Sequence, residues 1–231
     1  MNEKELFIAL SRQCNGNWEK IFKMIKNKEA ADPTLTTTPE DCVAITDPEY
    51  PSDFKAAWRP PFLLYLKGDK SLLNAPKRMF VMGDKKERLS SYQKQWCLSM
   101  VQYAVKNDSV IVTIEGDYMT SLCQQYGCKC ICSYNKLPDR VPDGFLGISE
   151  MTHEMTGDPG LRPAFVGIGL GKWVMMLYAA SKECKSVVAL GENMEVDVFA
   201  LPCDSEDIGV LLEDGAIPAV HPDFVWEYNS H

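Results

Sequence analysis

The sequence contains no long hydrophobic run, and this absence excludes a helical membrane protein. No apolar segment approaches the ~18 residues that a membrane-spanning helix requires. The first stretch, MNEKELFIALSRQ, is too polar for a signal peptide. Repeats and low-complexity segments are absent too. We therefore expect a cytoplasmic, globular protein that makes no contact with a membrane.

Histidine is scarce, which removes the most common catalytic and metal-binding side chain. The three histidines, His153, His221 and His231, are too scattered to form a cluster. The stretch HEMTG lacks the second histidine of a zinc-protease helix. The best remaining base is His153, beside Glu150 and Glu154. The sequence therefore predicts no catalytic residue, no metal and no cofactor. An enzymatic activity, such as nucleotide or phosphoribosyl hydrolysis, ranks last because no acid/base pair is identifiable.

The nine cysteines lack the spacing of a zinc site. Cys128, Cys130 and Cys132 alternate with other residues, which places three thiols on one face of a strand. Zinc sites commonly use C-x-x-C turns instead. An odd cysteine count without a secretory signal favours reduced thiols in a cytoplasm. We expect this row of cysteines to lie in the hydrophobic core.

The formal net charge of −8 hides an uneven distribution. Residues 192–231 contain ten acidic residues and no lysine or arginine, so the remaining chain sums to +2. Residues 67–94 hold eight basic residues against three acidic ones. The basic residues are Lys67, Lys70, Lys77, Arg78, Lys85, Lys86, Arg88 and Lys94. This asymmetry allows a local anion site, and a solvated basic surface remains the alternative.

The apolar pattern alternates between strands and helices. Helical spacing occurs within residues 3–30, with Asn17 as an N-cap, and a Thr- and Pro-rich linker follows at 31–41. The predicted strands are FLLYLKG before residue 69, then 78–83, 109–116, 128–134, 145–150 and 196–203. This order indicates an α/β fold, with a mostly parallel sheet and helices on both faces. We divide the chain into a small helical region with a linker, 1–40, and an α/β domain with an acidic C-terminal segment, 41–231.

The stretch FVGIGLGKW, residues 165–173, looks at first like a phosphate-binding loop. Gly167 is one residue too close to Gly171 and Lys172 for a P-loop, and Trp173 replaces the hydroxyl residue. The spacing and late position also exclude a dinucleotide fingerprint. We expect these glycines to allow close backbone packing. The following run, KWVMMLYAAS, suits either a strand or a buried helix.

The loop at 83–92, GDKKERLSSY, is the better candidate for a ligand site. It follows a predicted strand and precedes a predicted helix capped by Ser90 or Ser91, which is where open α/β sheets bind ligands. A helix start attracts anions, and Lys85, Lys86 and Arg88 add positive charge. Ser91 and Tyr92 offer a hydroxyl and a stacking ring, as in single-stranded nucleic-acid sites.

Several segments together resemble the DprA/Smf family, the DNA-processing protein A family. Tyr50-Pro51 and RPPFLLYLKGD, residues 59–69, are similar to the extended segment before its Rossmann-like domain. Gly83-Asp84-Lys85 and the later Ser91-Tyr92 are similar to its next motif. The stretches at 147–165 and 198–216, and the helical start, follow in the family's order. The resemblance implies a Rossmann-like fold.

The resemblance also implies a function, the binding of single-stranded DNA, and the departures from the family's motifs indicate weaker binding. Family members bind single-stranded DNA and load a RecA-like recombinase during transformation in bacteria. Carried onto this chain, the DNA- or phosphate-binding positions are Gly83, Lys85, Ser91 and Tyr92, with Lys86 and Arg88 as neighbours. The family's F-P-x-R-N-R motif is replaced by VGIGLGKW, so the arginines of that motif are missing here. Of another family motif, only Gly116-Asp117 is retained. We expect single-stranded DNA binding that is weakened, and a homodimer; the alternative is a module repurposed for a nucleotide-like molecule or a protein partner.

Overall fold

The structure, a computed structural model, describes residues 1–56, 59–158, 160, 162–177, 181–203 and 206–228. Nine strands occur in these residues. The strands are β1 (Asp41–Ala44), β2 (Leu63–Gly68), β3 (Arg78–Met82), β4 (Val110–Ile114), β5 (Cys130–Ser133), β6 (Phe145–Ser149), β7 (Trp173–Met176), β8 (Asp197–Ala200) and β9 (Ile217–Pro218). The helices are α1 (Glu3–Gln13), α2 (Trp18–Asn27), α3 (Ser52–Ala56), α4 (Ser91–Lys106), α5 (Tyr118–Tyr126), α6 (Arg162–Leu170), α7 (Ser181–Asn193), α8 (Glu206–Glu213) and α9 (Pro222–Glu227).

The strands form one sheet in the order β1-β2-β6-β5-β4-β3-β7-β8-β9. The strands from β6 to β9 in this order are parallel, while β2 pairs antiparallel with both β1 and β6. The chain moves from β3 outward through β4, β5 and β6, and then crosses to the other side of β3 to form β7. The direction of winding therefore reverses between β3 and β7.

The central strands are apolar along their whole length because both faces of the sheet are covered. All five residues of β3 are buried, and side chains alternate between two separate clusters. Phe80 and Met82 pack on one side with residues of α6, α7 and α8, while Met79 and Val81 pack on the other with α4, α5 and α9. This arrangement is the α/β, Rossmann-like, mostly parallel sheet with helices on both faces that the sequence predicted.

The N-terminal helical region packs against the edge of this sheet. Ile8 of α1 shares a cluster with Ala44 of β1 and Leu63 of β2. The side chain of Asn17 accepts a hydrogen bond from the backbone of Lys20 at 3.0 Å, which confirms the predicted N-cap of α2. The boundary at residue 40 between this region and the α/β domain remains a prediction.

Two further sequence interpretations are settled by the fold. Cys128, Cys130 and Cys132 are buried in one hydrophobic cluster, as expected for a core row. The ambiguous run after Lys172 begins as the strand Trp173–Met176, and residues 178–180 lie outside the described part. Among the described helices, none is long and apolar enough to cross a membrane.

Candidate functional site

The loop at 83–92 lies at the point where the winding of the sheet reverses. It leaves the carboxyl end of β3, forms a short 3-10 turn at Lys86–Arg88, and enters α4 at Ser91. The neighbouring strand across the reversal is β7, which pairs with β3 from Met79 to Met82. Open α/β sheets bind ligands in the crevice outside the carboxyl ends of strands at such a point.

A capping box fixes the start of α4. The hydroxyl of Ser90 accepts a hydrogen bond from the backbone of Gln93 at 3.2 Å, and the side chain of Gln93 accepts one from the backbone of Ser90 at 2.8 Å. Since helical geometry gives the N–H groups of Ser91 and Tyr92 no intrahelical acceptor, the box leaves them available to an anion. Ser90, and not Ser91, is therefore the cap.

Gln93 also links the start of α4 to the residue that follows β7. Its buried side-chain amide donates to the backbone carbonyl of Leu177, just after β7, at 2.7 Å. Our sequence reasoning missed this residue, although the pattern Ser-x-x-Gln is a capping-box signature that could have identified it. Gln93 thus ties the candidate loop to the strand on the other side of the reversal.

The three cations of the loop are exposed, and two of them have local partners. The guanidinium of Arg88 lies 3.2 Å from the carboxylate of Asp84. The ammonium of Lys86 lies 5.6 Å from the ring centre of Tyr118. Lys85 forms no ion pair within the described residues, and its backbone donates to Asp84. Counted with Asp84 and Glu87, the loop carries a net charge of +1.

Ser91 and Tyr92 sit on the exposed first turn of α4, beside these cations. The side chain of Tyr92 is 50% exposed, which leaves the ring accessible to a ligand. Ser91 is exposed as well. The structure therefore gathers Lys85, Lys86, Arg88, Ser91 and Tyr92 into one short surface segment.

Gly83 differs from the other five candidate residues because it is buried and its backbone is already bonded. Its N–H donates to a carboxylate oxygen of Asp117 at 2.7 Å, and the other oxygen accepts from the backbone of Met119 at 2.9 Å. A side chain at Gly83 would place its first carbon 3.0 Å from Asp117. Gly83 thus brings β3 close to the start of α5, and its N–H is not free for a phosphate.

Asp117 is a buried acid directly behind the candidate loop. Burial raises the pKa of its carboxyl to about 7, against the opposing effect of the two hydrogen bonds, and the nearby Asp84 raises it further. In the sequence, Asp117 is notable only as an echo of a family motif. Its ionised form places a negative charge next to the cations of the loop.

The basic stretch at 67–94 divides between two opposite edges of the sheet. Gly68 of β2 pairs with Leu146 near the start of β6, so Lys67 and Lys70 lie at the edge where the parallel strands begin. Arg78 is buried at the same edge, where it donates to backbone carbonyls such as that of Leu170. Of the eight basic residues, only the three in the loop and Lys94, near the start of α4, lie at the carboxyl edge. The eight basic residues therefore do not form a single patch.

The glycine-rich stretch before Lys172 lies in a buried helix. Residues Ala164 to Leu170 of α6 are buried. A side-chain carbon added at Gly167 would lie 2.4 Å from the ring of Phe80, and one at Gly169 would lie 2.7 Å from Phe54. The expected close backbone packing of these glycines is confirmed, and this helix core supplies no cation to the carboxyl edge.

Arg162, at the start of α6, is occupied by a structural ion pair. Its guanidinium donates two hydrogen bonds, of 2.5 and 2.7 Å, to the carboxylate of Glu150. The same guanidinium lies 4.4 Å from the ring centre of Phe165. Burial raises the pKa of Glu150, while Arg162 opposes this shift. Glu150 is therefore bonded to Arg162 and is not a partner of His153.

His153 does not assemble a catalytic or metal site with its neighbours. The ring nitrogen Nε2 lies 3.7 Å from the exposed carboxylate of Asp139. Within the described part of the chain, no group of three or more His, Cys, Asp or Glu residues is arranged to hold a metal ion. His231 lies outside the described residues.

A small pocket lies farther along the same carboxyl edge. It encloses about 130 Å³ and is lined by residues that include Met82, Glu115 and Asn135. Ser133 also lines it, and its buried hydroxyl has no partner among the described residues. Pockets for small molecules usually enclose about 300–1,000 Å³, so this one is small for a nucleotide.

Comparison with known proteins agrees with the resemblance in the sequence. The family model of DNA recombination-mediator protein A matches residues 41–113. DNA processing protein A from Streptococcus pneumoniae superimposes with a TM-score of 0.69 and 20% identity, covering 100% of this chain and 94% of that chain. DNA processing protein A from Helicobacter pylori gives 0.67 and 22%, covering 80% of this chain and 94% of that chain. No curated protein sequence matches the chain.

The matched residues 41–113 contain the candidate loop, and they run from β1 into β4. They also contain the approach segment, in which the hydroxyl of Tyr50 donates to the backbone carbonyl of Pro61 at 2.7 Å. The fold agrees with that of the two solved DNA-processing proteins over most of each chain. The chain is therefore similar to the DNA-processing proteins in two respects: residues 41–113 match the family model of DNA recombination-mediator protein A, and the fold is that of the two solved structures.

Proposed function

We propose that this protein binds single-stranded DNA at the crevice between β3 and β7, through the loop at 83–92. The observation that carries the proposal is the position of three exposed cations at the reversal point of the sheet, beside the start of α4. Phosphate groups are attracted by cations and by unpaired N–H groups at a helix start. The exposed ring of Tyr92 adds a surface on which a base can stack.

The family supports a DNA ligand, and the structure of the Helicobacter pylori relative is described in terms of its binding of single-stranded DNA. At 22% identity this likeness supports the fold, so DNA binding by the present chain rests on its own residues. Those residues are Lys85, Lys86, Arg88, Ser91 and Tyr92, with Gly83 shaping the loop from beneath.

We expect the affinity to be modest. Arg162 is held by Glu150, and α6 contributes no cation from its buried core. Asp84 pairs with Arg88, and ionised Asp117 lies behind the loop. Each of these features reduces the positive potential that a phosphate would meet.

The wider role that we propose is delivery of single-stranded DNA to a RecA-like recombinase during transformation, by a homodimer in a bacterial cytoplasm. The eight described cysteines are all free thiols, which fits a reducing compartment. The alternative, a module for a nucleotide-like molecule, is less well supported because the pocket lined by Met82 and Ser133 encloses only about 130 Å³.

Two matched triple variants test the binding site. The variant Lys85→Ala/Lys86→Ala/Arg88→Ala removes three charges from the loop, and Lys67→Ala/Lys70→Ala/Lys77→Ala removes three from the opposite edge. Fluorescence anisotropy with labelled oligo-dT at low salt should give about tenfold or greater weakening for the loop variant only, because binding depends on neutralised phosphates. Equal affinities for the two variants would reject the loop as the site.

A further inference from the structure

A column of stacked aromatic rings ends at the surface of the N-terminal helical region. The ring centres of Phe7 and Phe62 are 6.0 Å apart, those of Phe62 and Trp18 are 5.3 Å apart, and those of Trp18 and Phe22 are 5.1 Å apart. The angles between successive ring planes are 13°, 22° and 10°. Four nearly parallel rings therefore extend from α1 through the segment before β2 to α2.

The outer end of this column is exposed. Phe22 is 42% exposed, and within the described residues its ring stacks with Trp18 alone. The inner rings are held in place by the fold. The indole nitrogen of Trp18 donates to the backbone carbonyl of Pro60 at 2.8 Å, and Arg59 lies 5.3 Å from the Trp18 ring centre. Phe22 is thus a rigidly supported aromatic surface facing solvent.

The helix that carries Phe22 is strongly basic. Residues 18–28 contain four lysines, Lys20, Lys23, Lys26 and Lys28, against one acid, Glu19, which gives a net charge of +3. Lys26 follows Phe22 by four residues, so the two side chains are neighbours on the helix surface. Glu19 pairs with Arg59 at 2.6 Å, which partly neutralises the only acid of this group.

An open aromatic stack beside lysines matches the chemistry of single-stranded nucleic acid. Any base can stack on an aromatic ring regardless of sequence, while cations follow the phosphates. Its charge would attract an acidic protein as well, but the open end of the stack specifically favours a planar ring. We propose that Phe22 binds a nucleobase by extending the column, with Lys23 and Lys26 contacting the adjacent phosphates.

The turn that leads into α2 lies at the same edge of the sheet as the loop at 83–92. A side-chain carbon added at Gly16, before α2, would lie 3.1 Å from the carbonyl of Glu150, which follows the carboxyl end of β6. Strands β6 and β3 are three strand spacings apart in the sheet, or roughly 14 Å. One strand of DNA could therefore contact both places, although binding at Phe22 does not depend on the loop.

Aromatic variants test the stacking. Phe22→Ala should weaken binding of oligo-dT at least about fivefold, and Phe22→Leu, which keeps an apolar side chain, should weaken it similarly, because both lose the stacking face. The control is Phe224→Ala, since Phe224 is 41% exposed and lies beside Asp223 on α9. Wild-type affinity in Phe22→Leu, or an equal loss in Phe224→Ala, would overturn the proposal.

An oligonucleotide without bases separates stacking from charge. For an abasic strand of the same length, Phe22→Ala should bind like the wild type, whereas Lys23→Ala/Lys26→Ala should still bind more weakly. A loss of abasic binding in Phe22→Ala would contradict base stacking. Reduced self-association of the α2 variants, with unchanged DNA binding, would instead assign the surface to the acidic segment of a second copy.

Photocrosslinking distinguishes this inference from the proposed function. An oligonucleotide containing 5-iodouracil should crosslink to the peptide that contains Phe22 in the wild type and in Lys85→Ala/Lys86→Ala/Arg88→Ala. Crosslinks to Phe22 alone would support this inference and reject the loop. Crosslinks to Tyr92 alone would support the loop and reject this inference. No crosslink at any concentration would reject both the loop and Phe22 as binding sites.

Discussion

Asp117 accepts a hydrogen bond from Gly83, at the end of β3, and caps the start of α5 by accepting another from Met119. The two N–H groups favour its ionised form, but removal from water favours the neutral form, and the balance raises the pKa to about 7. The charge state of one buried acid behind the candidate loop therefore changes near neutral pH.

We predict that Asp117 makes the protein less stable as the pH rises from about 4 to about 7. The pKa is about 7 in the folded protein against 3.8 for an unperturbed aspartate, so the folded state binds more protons in this range. Its free energy of unfolding must then fall with rising pH. Urea unfolding at about pH 5 and about pH 8 should show a smaller fall in Asp117→Asn than in the wild type. An equal fall in both proteins would contradict this assignment.

The contacts that sequence reasoning could not predict are those that Asp117 and Gln93 make with partners far away in the chain. Asp117 is 34 residues from Gly83, and Gln93 is 84 residues from Leu177. No spacing rule connects such pairs. The cations of the loop, in contrast, were identified because a strand, a polar loop and a capped helix are all local patterns.

Helix α6 packs closely on β3 because it carries glycines where it faces Phe80 and Phe54. Glycine weakens an isolated helix, so tertiary packing must stabilise this one. The helix was not predicted from the sequence for this reason, since its glycines indicated only a close backbone approach. The short strands β1 and β9, of four and two residues, also lacked a recognisable pattern.

The longer strands were predictable because their apolar runs are continuous. β3, β4, β5, β6 and β8 fall within the predicted segments, since burial on both faces of a parallel sheet selects such runs. The order of the strands, with β7 on the far side of β3, depends on which edge the chain returns to. That choice is not encoded in local periodicity.

We predict that Gly167→Ala destabilises the protein by about 1–3 kcal/mol, as expected for overpacking. The added carbon would lie 2.4 to 2.9 Å from three ring atoms of Phe80, which is fully buried and has little room to move. Urea unfolding measures the effect. The control is Gly209→Ala in α8, where nothing lies within 4 Å and alanine should stabilise the helix by about 0.5–1 kcal/mol. Equal stabilities of the two variants would contradict the packing that we describe.

At the scale of the whole molecule, the sheet separates charges that are close in sequence. Lys67 and Lys70 lie at one edge and the loop cations at the other, with β3 between them. Glu192, Glu195 and Asp197 precede or begin β8, so these acids of the C-terminal segment lie at the edge opposite the candidate loop. Glu206 and Asp207, in contrast, begin α8 after the carboxyl end of β8, on the same edge as the loop, and reduce the positive potential there.

The salt dependence of oligo-dT binding tests the central claim most directly. Each neutralised phosphate of a single strand contributes about −0.7 to the slope of log affinity against log salt, so three loop cations predict about −2 or steeper between about 50 and 200 mM salt. In Lys85→Ala/Lys86→Ala/Arg88→Ala the slope should be flatter by about 2. Wild-type binding that does not change with salt, or an unchanged slope in the variant, would contradict DNA binding by this loop.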